Sequence, residues 1–126
     1  MPAASAPRPK LSRQEAEQRG RKAEARAAWW LRMQGWTVLA ERVRVPGGEV
    51  DLVVRRGRTL VFVEVKQRAT EEAASWSLDR SRLQRVAVAA EQLAPRYMDG
   101  CDTVRIDAIL MVPGRLPRHL QNVWFG

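Results

Sequence analysis

The chain is poor in the side chains that build thiol and imidazole sites. It has one cysteine, Cys101, and one histidine, His119, in 126 residues. An internal disulfide is excluded, Cys101 has no companions at zinc-ligand spacing, and a reducing cytoplasm is the expected compartment. Cys101 reads as a filler near a turn, and His119 as part of a proline-flanked loop. No apolar run approaches the roughly 18 residues that a membrane span requires. The opening "MPAASAPRPK" lacks the apolar centre of a signal peptide, so residues 1–11 are expected to form a disordered basic tail. Lysine is also scarce, with three against 19 arginines.

What is abundant is positive charge. Twenty-two Lys and Arg stand against 14 Asp and Glu, for a net charge of +8 and an isoelectric point near 11.1. Such a balance favours a polyanionic partner, with nucleic acid ahead of an anionic membrane surface. The length suits one domain with a real core, expected over residues 12–126.

Apolar periodicity predicts a helix from about Ser12 to Gln34, with Ser12 as N-cap, Glu15 completing a capping box and Gly35 as the stop. Its alanines, with Trp30 and Leu31, form the apolar stripe. "WTVLAERVRV" reads as a strand closed by Pro46, Gly47 and Gly48. Two more strands follow, at about Glu49–Val54 and Leu60–Lys66, and then a polar interval from Gln67 to Ser77 expected to be a mobile loop. A second helix is predicted from Asp79 to Leu93 with Pro95 beyond its end. "TVRIDAILMV" reads as a strand that buries one face, and "QNVWFG" as a short final strand. The order helix, three strands, helix, strand, with a possible final strand, points to a single mixed α/β domain.

Within "GGEVDLVVRRGRTLVFVEVKQR", Asp51, Glu64 and Lys66 interrupt two valine-rich strands. Side chains alternate along a strand, so Glu64 and Lys66 share a face with Leu60 and Phe62, while Val61, Val63 and Val65 form the expected core face. Val50, Leu52 and Val54 are the matching apolar row in the preceding strand. An even hairpin loop places Asp51 and Glu64 on one face, and a four-residue loop from Arg56 to Thr59 sets them opposite each other. A three-residue loop mixes polar with apolar on both faces.

Two carboxylates about 5 Å apart repel by roughly 3 kcal/mol at an effective dielectric near 20. A hard divalent cation neutralises such a pair more fully than an ammonium, and Mg²⁺ commonly binds through one or two carboxylates, waters and phosphate. This is the chemistry of metal-assisted phosphodiester cleavage, in which Lys66 could hold the attacking water or the developing oxyanion. The plainer alternative for Glu64 and Lys66 is an exposed ion pair worth at most about 1 kcal/mol. A lysine in so arginine-rich a chain suggests that a compact ammonium is wanted at position 66. Glu24 lies in line with Ala27, Ala28 and Leu31 on the first helix, where it either joins the acidic cluster or pairs with Arg21.

These motifs resemble the YraN-like family of small bacterial proteins, which is related to the PD-(D/E)XK nucleases and, among them, most similar to archaeal Holliday junction resolvases. The resemblance runs from Gly20 to Phe125 and is most specific in "GGEVDLV" and "VFVEVKQR"; "RIDAI" and "NVWF" resemble later, weaker motifs. It implies a PD-(D/E)XK nuclease-like fold, with a mixed central sheet flanked by helices. It also implies that Asp51 and Glu64 bind Mg²⁺ or Mn²⁺, that Lys66 is the catalytic lysine, and that Glu24 is the first-helix acid. Glu49 matches the glutamate that precedes the aspartate. The sequence departs from the pattern at Ala23, where glycine is common, at Arg42, where asparagine is usual, and near Asp79 and Arg80, where a lysine is missing. The expected activity is metal-dependent endonucleolytic cleavage of DNA, branched or damaged DNA included, with a non-catalytic nucleic-acid-binding module as the alternative. Arg44, Arg56, Arg68 and Arg82 are candidate phosphate contacts. Of the adjacent Trp29 and Trp30, one is expected to face outward, which leaves a homo-oligomer open.

Overall fold

The computed structural model describes residues 12–68 and 79–124. The tail expected over residues 1–11 and most of the loop expected after Gln67 lie outside them. Helix α1 (Arg13–Met33) begins where the Ser12 hydroxyl accepts from the Glu15 amide at 3.1 Å, and it ends ahead of Gly35, whose φ of +89° carries the chain out of the helix. Strands β1 (Thr37–Val45), β2 (Gly48–Arg56) and β3 (Thr59–Gln67) follow, then α2 (Arg80–Tyr97), β4 (Thr103–Met111) and β5 (Arg118–Leu120). The five strands lie in chain order; β3 and β4 are parallel and the other neighbours antiparallel. The expected element order and the α/β class both hold.

Several local expectations change. Helix α2 continues through Pro95 to Tyr97, where Tyr97 packs on the core; in this last turn the missing amide forfeits only one hydrogen bond. The final strand is Arg118–Leu120 rather than the segment from Gln121 onward, although the Val123 amide still donates to the Ile106 carbonyl at 2.8 Å.

The larger correction concerns the faces. Helix α1 covers the face bearing Leu52, Val54, Val61, Val63 and Ile109, as the valine row predicts. Leu60 and Phe62, expected on the charged face, are instead fully buried beneath α2 with Val53, Leu83 and Val86. β4 likewise buries both faces, with Ile106 toward α2 and Ile109 toward α1. A sheet covered on both sides is the usual setting of parallel strands, whose sequences read as continuous apolar runs.

The hairpin register matches the four-residue-loop expectation, but the turn is tighter. Leu52 opposes Val63, and Arg56 pairs with Thr59 around Gly57 and Arg58, with Gly57 at φ +60°. Face alternation in β2 then breaks at Asp51, since Val50 and Val53, three apart, both pack toward α2. At the same level Arg42 has φ +53°, and Arg42 and Asp51 are missing from the β1–β2 pairing, which also shifts by one residue between Val38 and Ala40. Paired β2–β3 residues also end at Leu52 and Val63, so Asp51 sits where the two strands fork. Gly48 explains how α2 reaches this region: a Cβ there would lie 2.4 Å from the Arg85 carbonyl oxygen and 2.8 Å from the Ala89 nitrogen. Only glycine allows that approach, which sets Arg82 and Arg85 above the fork.

Candidate active site

At the fork the Asp51 carboxylate turns between the strands, and its Oδ2 accepts from the Val65 amide at 2.7 Å. Burial pushes its carboxyl up to about 6; the Val65 N–H opposes this, and the charge of Glu24 adds to it. Glu64, one residue before Val65, is only 5% exposed. Burial and then the charge of Asp51 push it up to about 7, against the attraction of Arg82. Nε and Nη2 of Arg82 both donate to Glu64 Oε1, at 3.1 and 2.9 Å. A buried acidic pair thus has a guanidinium as its main compensating charge.

Lys66 is 7% exposed, and burial, reinforced by nearby Arg68, lowers its pKa. Glu24 reaches the cluster from α1. Its carboxyl is raised by burial, with further pressure from Glu41 and Glu64, and its ion pair is with Arg42 at 3.4 Å rather than with Arg21. Glu49 forms the outer rim, with Arg85 at 3.5 Å, Arg44 at 3.9 Å and Arg82 at 4.0 Å.

Two clefts flank this cluster. One of about 300 Å³ is lined by Glu64, Lys66, Gln67, Arg68, Asp79 and Arg82. The other, about 170 Å³, is lined by Glu24, Arg42, Arg44, Glu49, Asp51 and Arg82. Arg82 borders both, so its side chain stands between Glu64 and Asp51's cleft. Among the described residues no three Asp, Glu, His or Cys side chains converge on one metal position. Asp51, Glu64 and Glu24 bring their carboxylates to the cluster, with Glu24 paired to Arg42.

Of the arginines predicted to contact phosphate, Arg44, Arg68 and Arg82 line these clefts. Arg56 does not join them: it lies at the hairpin end of β2, donates to the Gln34 carbonyl at 3.1 Å and stacks on Trp36 with 4.4 Å to the ring centre. Arg42 and Arg85 join them at the site, through Glu24 and Glu49. Position 42 could have been noticed, because its left-handed backbone suits the asparagine usual there.

The profile of the Uncharacterised protein family UPF0102 matches residues 23–111. The chain belongs to UPF0102. Among its relatives, a UPF0102 protein of Sphingopyxis alaskensis is 56% identical over 114 residues, covering 90% of this chain and 98% of the relative. Another from Rhizorhabdus wittichii is 54% identical over 114 residues, covering 90% and 97%. In three dimensions the chain is similar to Hjc, a Holliday junction resolvase of the archaeal hyperthermophile Archaeoglobus fulgidus. The TM-score is 0.57 with 19% identity, over 79% of this chain and 73% of the other. The chain therefore shares its fold with that resolvase.

The UPF0102 match includes one further buried acid, Asp107 of "RIDAI", which is fully enclosed. Its carboxylate accepts from Arg105 Nε at 3.0 Å and the Asn122 amide at 2.9 Å, and contacts His119 Nε2 at 2.6 Å. Burial pushes this carboxyl up, but the bonds from His119, Arg105 and Asn122 outweigh it and hold it below the usual range. His119, expected in a loop, is thus part of β5 and fastens it to β4, with its ring edge-on to Trp30 and Trp36.

The raised carboxyls give this protein an expected pH response. A group whose folded pKa lies above its unfolded value stabilises the fold fully below the unfolded pKa, and that contribution is lost as pH rises through the folded one. Asp51 and Glu64, at about 6 and 7, should therefore make the metal-free protein lose stability from pH 5 to pH 8. Urea melts across that range, with Glu64→Gln as comparison, measure it; equal slopes for the two proteins would contradict the assignment.

Proposed function

We propose that this protein is a Mg²⁺- or Mn²⁺-dependent endonuclease acting on DNA, with branched and damaged DNA as its substrate class. The observation that carries the reading is the buried pair Asp51 and Glu64, both pushed up toward neutrality beside a lysine whose pKa is lowered. Paired carboxyls perturbed by burial and by each other in a cleft are the kind of group from which functional sites are built.

Two hard oxygen donors fit a divalent cation whose remaining positions are filled by waters and phosphate. When bound, that ion would polarise the phosphodiester and acidify a water. Asp51 and Glu64 would hold it, and Lys66 would place the water or offset charge on the phosphate. Glu24 would support the cluster from α1, while Arg44, Arg68 and Arg82 would seat the flanking phosphates. The net charge of +8 would draw in the polyanion.

Arg82 favours a second reading, a binding module without catalysis, because its guanidinium already compensates Glu64. Incubation with junction, flap and linear DNA, with Mg²⁺ or Mn²⁺ and with a chelator, separates the two. Endonuclease action requires metal-dependent products that Lys66→Ala abolishes; DNA binding without cleavage selects the module, and cleavage in chelator sinks the mechanism.

A further inference from the structure

A third cleft, of about 360 Å³, lies across the end of β3 from Lys66 and has a different character. Its lining is largely apolar and includes Trp29, Trp30, Met33, Met111 and Leu116. Trp29 is 66% exposed, Met33 71% and Leu116 84%, so half of the large exposed apolar side chains among the described residues gather here. Arg26 and Arg115 also line it, and the Arg32 guanidinium lies over the Trp29 ring at 5.9 Å.

Its position is as informative as its composition. β3 and β4 run parallel, and the cleft opens at their carboxyl ends, beside Gln67 and Met111, where open α/β sheets bind ligands. Gln67 lines both this cleft and the one holding Glu64 and Lys66, so a single strand residue separates them. On the α1 side Ala23, which borders the apolar cleft, is the neighbour of Glu24.

Arg26 and Arg115 in the lining and Arg32 over Trp29 favour an occupant that carries negative charge over an apolar peptide or acyl chain. A nucleobase meets both demands: its ring stacks on tryptophan, and its own phosphates lie within reach of the arginines. We propose that this cleft receives an unpaired nucleobase of a DNA strand whose backbone passes Lys66. The inference rests on the nucleic-acid reading above and narrows it to DNA carrying an unstacked base, as at a flap, bulge or branch point. An intact duplex keeps its bases stacked and could not fill the cleft without extruding one.

The test is equilibrium binding in chelator, read by fluorescence anisotropy, with a duplex carrying one unpaired adenine and the same duplex with an abasic residue there. Wild type is expected to prefer the adenine by at least about fivefold, the low end of base stacking on an aromatic side chain. Trp29→Ala should lose that preference while keeping its affinity for the abasic duplex, and Trp29→Phe should retain it. Because Trp29 is exposed, neither change should threaten folding; Leu116→Ala gives an independent variant. Equal affinity of wild type for the two duplexes overturns the inference while leaving DNA binding intact. A Trp29→Ala protein that keeps the preference but sediments as a smaller species overturns it in favour of a second copy of the chain. Failure to bind any DNA overturns the nucleic-acid reading together with this one.

Discussion

Glu64→Gln is expected to lower metal-dependent DNA cleavage by about 10² to 10³-fold without destabilising the protein. The activity loss follows from removing one of two charged oxygen donors: a bound cation supplies several kcal/mol of charge stabilisation, and each 1.36 kcal/mol is tenfold in rate. The stability expectation runs against the habit that altering a buried charge unfolds a protein. Here the fold strains against that charge, since burial and Asp51 both disfavour it. A neutral isostere relieves that pressure and leaves half-exposed Arg82 free to turn to solvent and Glu49. Single-turnover cleavage and urea melts at pH 8, run on the same preparations, check both halves. A marked loss of stability, with activity falling only in proportion to the unfolded fraction, would make Glu64 structural.

Asp107→Ala is expected to do the opposite, costing about 3–5 kcal/mol of stability. The carboxylate is fully buried, and its removal leaves Arg105, His119 and the Asn122 amide without their acceptor. The cost should appear as a thermal midpoint lower by more than about 10 °C, given the size dependence of unfolding entropy. Asp107→Asn should lose less, because an amide oxygen can still accept from one donor. The sign with pH is also opposite to that at the fork: a depressed carboxyl contributes stability above its unfolded pKa and loses it as pH falls through the folded one. A midpoint unchanged in Asp107→Ala would show that the β4–β5 lock contributes nothing. One buried acid is thus satisfied by the fold, whereas burial raises the other two even against the charge of Arg82.

The element order and the grouping of Asp51, Glu64 and Lys66 were legible because both depend on local features: caps, turn residues, apolar period and strand parity. Parity failed where the backbone is irregular. The alternation of "ERVRV" does not show that Arg42 adopts φ +53° and releases Asp51 from its regular place; only the asparagine usual at position 42 points to it. Parity also could not show which faces are covered. Leu60 and Phe62 share a face with Glu64 as expected, but α2 buries that face, a tertiary outcome that the alternation of one strand does not contain. Gly48 reads as turn punctuation, yet what it provides is room for the α2 backbone. Arg82 was one of several candidate arginines, and its place on Glu64 follows from that close approach. Asp107 interrupts an apolar run much as Glu64 does, and only the partners gathered around it separate a lock from a site.

Calorimetric titration with Mn²⁺ tests the central claim, that Asp51 and Glu64 form an incomplete cation site, most directly. The expected result is one saturable site that releases protons on binding, with affinity rising from pH 6 to pH 8 as the two carboxyls ionise, and no binding by Glu64→Gln. Absence of Mn²⁺ binding by the wild-type protein even with DNA present, or equal binding by Glu64→Gln, would contradict it.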